Sequence, residues 1–204
     1  MNRLRVVPVV EGHGEQQSAI RTLLVRLWTE LLGGDYIDVL QPIRIPRSKL
    51  IQPAELLRAV DLALLKLQAQ SSEDPWFVLV IFDADDDCPA ALAAALRQTL
   101  GEERSHVDVV VVIANVEFET WFVAAAESLQ SYFSNFTSTG TRDPEAARQG
   151  KGLVTKWMSG RYGETVDQPR LTAAMDLALC RRNSPSFDKL CRELERRKEP
   201  SNTA

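Results

Sequence analysis

The chain has 204 residues, 45% of them hydrophobic, enough for one sizeable folded domain with an extension, so disorder is not expected. Lys and Arg number 24 against 28 Asp and Glu, which gives a formal net charge of -4. This sign excludes a protein that binds nucleic acid by charge alone. A polyanionic partner would need help from a metal ion or from another subunit.

The cysteines and the amino terminus indicate in which cellular compartment the protein is expected. Cys88, Cys180 and Cys191 form no CxxC pair and have no histidines at zinc-finger spacing, so neither a disulfide framework nor a zinc site is predicted. The apolar run at 6–10 is too short for a signal peptide or a membrane span. We therefore expect a cytoplasmic protein with reduced cysteines and no membrane association.

The first half of the chain reads as two β-α units. Residues 6–10 are mostly β-branched and end at a Glu-Gly turn, which predicts a buried strand. Leucine and isoleucine then recur at helical spacing over 16–32. A second strand is predicted over 36–45, with Pro42 marking an edge or a bend, and a second helix over 53–68.

Two further units follow. Residues 76–82 are seven apolar residues without alternation, which is typical of a strand covered on both faces. An acidic run at 83–87 precedes an alanine-rich helix, for which Gly101 is the predicted stop. A strand over 107–113 leads into a helix that reaches about residue 129.

These elements predict an α/β fold with a parallel, Rossmann-like sheet and helices on both faces. We place this domain at 1–130. The Ser-, Thr- and Gly-rich segment 131–152 is interpreted as a linker or a partner-dependent loop. Residues 153–204 are expected to form a helical carboxyl-terminal extension.

Acidic residues follow the first and third strands of this sheet. Right-handed crossovers place all strand-to-helix turns at one edge, and a strand order of 2-1-3-4 would make these two turns neighbours. Glu11 would then lie beside Asp83 and Asp85. Mg²⁺ prefers carboxylate and water oxygens, and a bound cation would relieve the repulsion between such acids. The pattern predicts a divalent metal site at this edge.

A plainer interpretation exists for some of these acids. Asp86 or Asp87, just before Pro89, could cap the alanine-rich helix and favour its dipole. Glu11 alone would be ordinary turn chemistry. The metal hypothesis rests on the combination of the two turns.

The same residues resemble a known family. Glu11-Gly12 and Asp83-Ala84-Asp85 are similar to the strand-end motifs of toprim-like proteins. A wider pattern comprises Val10-Glu11-Gly12-x-x-Glu15, Phe82-Asp83-Ala84-Asp85, Asn115-x-Glu117-x-Glu119-x-Trp121-Phe122 and Ser184-Pro185-Ser186-Phe187. This pattern resembles an uncharacterised bacterial toprim-like family of the type called domain of unknown function 4276. The resemblance spans most of the chain.

This resemblance implies a toprim fold and magnesium-dependent phosphodiester chemistry, with Mn²⁺ as an alternative ion. Related toprim domains occur in nucleases of the overcoming-lysogenization-defect type, often in bacterial phage-defence loci beside an ATPase of ABC or AAA type. It therefore implies a nuclease that acts on nucleic acid, DNA being favoured over RNA, with such an ATPase as partner.

Carried over by position, Glu11 would be the general acid or base, and Asp83 and Asp85 would hold the metal ion. The further acids that could bind a second metal ion or orient its ligands are Asp87, Glu15, Glu117 and Glu119. Residues two apart on a helix point about 200° away from each other. We therefore expect only one of Glu117 and Glu119 to face the cleft, unless the turn is still extended there, and favour Glu117.

Basic residues in the last third of the chain could contact phosphates. The candidates for nucleic-acid binding are Lys151, Lys156, Arg181 and Arg182. Neighbouring acids such as Glu164 cancel much of this charge, so solvated surface residues are the alternative.

Two other functions stay open. The chain could be a non-catalytic regulatory subunit whose acidic cleft holds a cation structurally and whose segment 131–152 docks on an ATPase. It could also be a receiver-type phosphoacceptor, although the Thr/Ser and Lys expected at later strand ends are missing. A homo-oligomer is compatible with either.

Overall fold

The computed structural model describes residues 4–11, 14–69, 74–136, 143–147 and 149–198. Its centre is a parallel sheet of five strands in the order β2-β1-β4-β5, with β3 also paired to β1. The strands are β1 (Leu4–Val10), β2 (Ile37–Val39), β3 (Ile43–Arg44), β4 (Trp76–Asp83) and β5 (Val109–Ala114). The predicted parallel α/β fold is confirmed, and β2-β1-β4-β5 is the predicted order once the second strand is counted as two pieces.

That split of the second strand comes from Pro42. Proline lacks the N–H that a ladder hydrogen bond requires, so pairing stops at Val39 and resumes at Ile43. Both pieces pair with β1, and the expected bend at Pro42 is observed. The chain then turns into a short helix, α2 (Arg47–Leu50), which we did not predict.

Helices cover both faces of the sheet. The longer ones in the first half are α1 (Gly14–Arg26), continued by a π-helical turn at Leu27–Leu31, α3 (Pro53–Gln68) and α4 (Pro89–Glu103). The rest are α5 (Glu119–Ala124), 3-10 turns at Ala126–Tyr132 and Pro144–Ala147, α6 (Gly150–Trp157), α7 (Glu164–Ala174), α8 (Leu177–Asn183) and α9 (Pro185–Lys198).

Two hydrophobic clusters flank the sheet. One joins α3 and α4 to alternate residues of the strands, such as Val78 and Val111. The other cluster lies on the opposite face and contains residues of α1 and of each helix from α5 through α9, among them Trp121, Trp157 and Phe187. Because helices after residue 153 share this second cluster with β1 and α1, they help to bury the sheet. The division at 1–130, 131–152 and 153–204 stays a prediction.

Several boundaries differ from expectation. Helix α4 continues through Gly101 to Glu103, since a glycine costs a helix only about 1 kcal/mol when packing holds its flanks. The helix after β5 becomes a 3-10 helix at Ala126. Within the predicted segment 131–152, residues 137–142 and 148 lie outside the described part, whereas α6 already begins at Gly150. In the part of the chain that the structure describes, no helix is both long and apolar enough to cross a bilayer.

Candidate metal centre and active site

Acidic side chains gather at the carboxyl edge of the sheet. Strand β4 lies between β1 and β5, so its last residue, Asp83, has the turns after both neighbouring strands beside it. Glu11 follows β1, and Glu117 and Glu119 follow β5. With Asp85, these residues form what we call the acid cluster: Glu11, Asp83, Asp85, Glu117 and Glu119.

Asp83 is the centre of the acid cluster. Burial raises the pKa of its carboxyl well above the usual range, and the negative charges of Glu119, Glu11, Asp85 and Glu117 raise it further. A carboxylate placed in this way is costly in the absence of a cation.

Glu11 has an unsatisfied oxygen. Its Oε2 is buried and, within the described residues, has no hydrogen-bond partner. Glu11 and Asp83 together line a small cavity of about 20 Å³, which is room for roughly one water molecule. Burial and Asp85 raise the pKa of Glu11, while backbone hydrogen bonds from Asp83 and Arg47 and the charge of Arg47 oppose the rise. An orphaned acceptor oxygen beside a second acid suits a small cation.

The backbone is strained where β4 and β5 end. Asp85 has φ 50° and Val116 has φ 62°, and a β-branched residue such as valine rarely adopts this left-handed conformation. The two residues are joined directly, since the Asp85 N–H donates to the Val116 carbonyl at 2.9 Å. The strained pair fixes the Asp83–Asp85 turn against the turn that carries Glu117.

Arg47 is a member of the site that the sequence analysis missed. Its guanidinium donates to the carbonyls of Asp83 at 3.1 Å and Ala84 at 3.0 Å, and it forms ion pairs with Asp85 at 3.3 Å and with Asp87. Asp87 is thus held by an arginine. A basic residue just after the second strand, at the edge where acids were expected, was the signal that could have revealed it.

The negative charges of Glu119 and Glu117 both act on Asp83. Our expectation that only one would face the cleft assumed that both belong to a helix, but α5 begins at Glu119 and the turn at Val116 is not helical. Glu119 is buried and accepts a hydrogen bond from the Tyr162 hydroxyl at 2.6 Å. Burial raises the pKa of Glu119, and this hydrogen bond lowers it.

Glu117 is held by the start of α6. It accepts a hydrogen bond from the backbone N–H of Lys151 at 2.8 Å. The residue before Lys151 must be glycine, because a Cβ at Gly150 would lie 2.5 Å from the backbone nitrogen of Thr120. The close approach of α6 to α5 therefore sets the position of Glu117.

A second buried carboxylate, Glu145, was also missed. Its Oε1 accepts hydrogen bonds from the Ser186 N–H at 2.9 Å, the Ser186 hydroxyl at 2.6 Å and the Ser184 hydroxyl, and its Oε2 accepts one from the Asn115 side chain at 3.0 Å. Ser184 and Ser186 belong to the Ser184-Pro185-Ser186-Phe187 motif, and they lie at the start of α9. Glu145 connects the start of α9 to the turn after β5.

The fit to a metal ion has two sides. Among the described residues, no three His, Cys, Asp or Glu side chains are close enough to form a ready-made cage. Magnesium needs only one or two protein carboxylates when waters and substrate phosphates supply the remaining ligands, and Asp83 with either Glu11 or Asp85 fits that requirement. Glu15 lies in α1, but its side chain falls outside the described residues.

The basic residues predicted to bind nucleic acid are differently placed. Lys151 is paired with Glu164, and Arg181 with Asp188 at 2.9 Å and with Glu195. Lys156 and Arg182 are exposed. Their role in binding nucleic acid stays a prediction.

The acid cluster predicts a dependence of stability on pH. Carboxyls in an unfolded chain have pKa values near 4, whereas the pKa values of Glu11, Asp83 and Glu119 are raised in the folded protein. The folded state therefore binds more protons, and this contribution to stability is full below about pH 4 and is lost as pH rises through the raised pKa values.

We expect Asp83→Asn to gain stability over the wild type progressively as pH rises above about 4, since asparagine does not ionise. Urea denaturation of both proteins in EDTA, at several pH values, measures the difference. A difference that shrinks as pH rises would contradict the electrostatic account of Asp83.

The fold and the acid cluster define the class: a parallel α/β protein with carboxylates at the carboxyl edge of its sheet. The model of the family described as domain of unknown function (DUF4276) matches residues 10–195, and the chain belongs to that family. No curated protein and no solved structure matches the chain.

Proposed function

We propose that the chain is a magnesium-dependent nuclease of toprim type, which hydrolyses phosphodiester bonds in nucleic acid. The observation that supports this most is Asp83, a half-buried acid whose pKa is raised by four other carboxylates, at the edge where parallel α/β proteins bind their ligands. Mg²⁺, or Mn²⁺ in its place, would be held by Asp83 and Asp85, with waters and substrate phosphate as the remaining ligands. When bound, it would neutralise the charge that develops on the scissile phosphate.

The protein's own groups have distinct roles in this proposal. Asp83 is fixed by the sheet and supplies the central ligand oxygen. Glu11, with a raised pKa and an orphaned oxygen, can exchange a proton with the attacking water or the leaving group. Arg47 forms ion pairs with Asp85 and Asp87, so it balances part of their negative charge. Its guanidinium can also bind a phosphate group.

The biological setting is proposed from the toprim resemblance. It implies a bacterial phage-defence effector that acts with an ABC- or AAA-type ATPase, with DNA favoured as substrate. The net charge of -4 fits a chain that relies on a metal ion or a partner to approach a polyanion.

The cleavage test uses the purified full chain with supercoiled DNA, linear DNA and RNA, in Mg²⁺, in Mn²⁺ and in EDTA. We expect metal-dependent cleavage that falls by about 100-fold or more in Glu11→Gln and Asp83→Ala, since removal of one group that stabilises the transition state commonly has this effect. Asp35→Asn and Glu127→Gln, both exposed, are the matched controls. Cleavage that survives in both site variants would contradict the proposed site.

An alternative is a non-catalytic regulatory subunit. The observation in its favour is that Arg47 already neutralises Asp85 and Asp87, so part of the acid cluster is stable with no metal ion. Full inactivity of the wild type with every substrate and ion, together with tight binding to an ATPase, would favour this function.

Arg47 supplies a prediction of its own. In Arg47→Ala the carbonyls of Asp83 and Ala84 lose their donor and the acids lose their counter-charge, so we expect the free energy of unfolding to fall by about 2 kcal/mol without metal. The same change should tighten Mn²⁺ binding roughly fivefold, because a competing cation is removed.

Urea denaturation and Mn²⁺ titration measure the two effects of Arg47→Ala. Arg58→Ala, which removes an exposed ion pair with Glu55, is the control and should change stability by less than about 1 kcal/mol. Weaker Mn²⁺ binding in Arg47→Ala would show that Arg47 supports the metal ion instead of competing with it.

A further inference from the structure

A cleft of about 360 Å³ opens beside the acid cluster, between α4 and α9. The two helices pack on opposite faces of the sheet, and β5, the last strand in the described sheet, lies between them. Cys88, which follows Asp87, and Asn115, which precedes Glu117 by two residues, both line the cleft. The cleft and the acid cluster therefore share the carboxyl edge of β4 and β5.

One side of the cleft is cationic. Arg97 extends from α4, while Lys189 and Arg192 lie three residues apart on one face of α9. Arg97 is exposed and, within the described residues, no ion pair engages it. Three basic side chains around one opening attract an anion such as a phosphate.

The acids of α9 cancel this charge only in part. Lys189 pairs with Glu193, and Arg192 pairs with Asp188 at 2.9 Å. Asp188 is also shared with Arg181, and Glu193 is shared with Arg196 and Arg197. Each of these two carboxylates therefore serves two or three cations, so the charges of Lys189 and Arg192 are not fully balanced.

The floor of the cleft is apolar. It is formed by Val111 and Ile113 of β5 together with Pro89, Ala90 and Ala93 of α4. The volume lies within the range of about 300 to 1,000 Å³ that is typical of small-ligand sites. Glu145 also borders the cleft, but both of its oxygens already accept hydrogen bonds from Asn115 and the serines at the start of α9.

We propose that this cleft binds a nucleoside phosphate, with the base against Val111 and Ile113 and the phosphate between Arg97, Lys189 and Arg192. The inference rests on the proposed function in one respect. The bound nucleotide would be one unit of a nucleic-acid strand, and the next phosphate of that nucleic acid would reach the acid cluster. The residues that would bind it differ from those predicted from the sequence. A free nucleotide has the same chemistry, and the test separates the two sources.

Binding is measured without cleavage. The probes are a fluorescein-labelled single-stranded DNA 12-mer and thymidine monophosphate, and the protein is the full-length Asp83→Asn variant in EDTA. We expect Arg97→Ala with Arg192→Ala, added to that protein, to weaken binding about tenfold and to reduce the slope of log K against log salt by one to two. Arg21→Ala, an exposed arginine on α1, should change neither quantity.

Cys88 gives a second readout of occupancy. It is exposed in the cleft, whereas Cys180 and Cys191 are buried, so iodoacetamide should modify Cys88 first. We expect the bound probe to slow this modification at least fivefold in the parent protein, and not in the Arg97→Ala, Arg192→Ala protein.

The outcomes are distinct. Tighter binding of the 12-mer than of the monophosphate identifies a nucleic-acid strand, and the reverse identifies a free nucleotide. No binding of either probe, or binding unaffected by Arg97→Ala with Arg192→Ala, overturns the proposal. Because no arm requires cleavage, these results are independent of whether the wild type is a nuclease.

Discussion

Asp83→Asn is expected to make the metal-free protein more stable while abolishing metal-dependent cleavage. Asp83 carries a raised pKa because it is partly withdrawn from water and lies among four other acids, so its charge costs folding energy at neutral pH. Asparagine has nearly the same shape and no charge. We expect the free energy of unfolding at pH 7 in EDTA to rise by about 2 kcal/mol, measured by urea denaturation.

The control for this prediction is Asp35→Asn. Asp35 is exposed and precedes β2, and this change should alter stability by less than about 0.5 kcal/mol. Adding Mg²⁺ should raise the melting temperature of the wild type and leave that of Asp83→Asn unchanged. If Asp83→Asn is destabilised in EDTA, Asp83 has a favourable structural role and the electrostatic account is wrong.

Glu145→Ala is expected to destabilise the protein by about 3 kcal/mol, because it removes a buried acceptor from several donors at once. Asn115, Ser184 and Ser186 would each lose a partner, and Ser186 also accepts a hydrogen bond from the Trp121 indole at 2.9 Å. The start of α9 would lose its connection to the turn after β5. Thermal and urea denaturation measure the effect.

Glu145→Gln separates geometry from charge. Its amide can keep the same shape, and Asn115 can rotate its side-chain oxygen towards the new N–H₂ group, so we expect a loss of only about 1 kcal/mol. Glu127→Ala, at an exposed position, should be nearly neutral. Equal losses in Glu145→Ala and Glu127→Ala would mean that the hydrogen bonds of Glu145 add nothing to stability.

The sheet could be predicted because its signals are local and agree with one another. The apolar run at 76–82 has the composition of a doubly covered strand, and it forms β4. The strand order followed from the short right-handed connections, and the interruption of the second strand followed from Pro42. Gly101 misled us because its cost is small beside the packing of Leu96 and Leu100.

The acids of the site could be predicted only where they lie at the end of a strand that the sequence predicts. Glu11 follows β1 and Asp83 ends β4, so the topology alone made them neighbours. Arg47, Tyr162 and Glu145 could not be found in this way. Arg47 lies in α2, Tyr162 lies in the connection between α6 and α7, and Glu145 lies in the 3-10 turn at Pro144–Ala147. The positions of these segments depend on tertiary packing and not on any local pattern.

The same reason explains the position of the cationic cleft. Arg97 and Arg192 are far apart in the sequence, and each resembles an ordinary solvated residue on its own helix. Only the packing of α4 and α9 on either side of β5 brings them to one opening. The basic residues proposed from sequence density alone include Lys151 and Arg181, which are not among the residues that line this opening.

The most direct test of the central claim is equilibrium binding of Mn²⁺, followed by loss of the free-ion signal in electron paramagnetic resonance, to the wild type, Glu11→Gln and Asp83→Asn. The account predicts saturable binding to the wild type, competition by Mg²⁺, and at least tenfold weaker binding in both variants. Identical binding in wild type and Asp83→Asn, or no binding at millimolar Mn²⁺, would contradict a metal centre at the acid cluster.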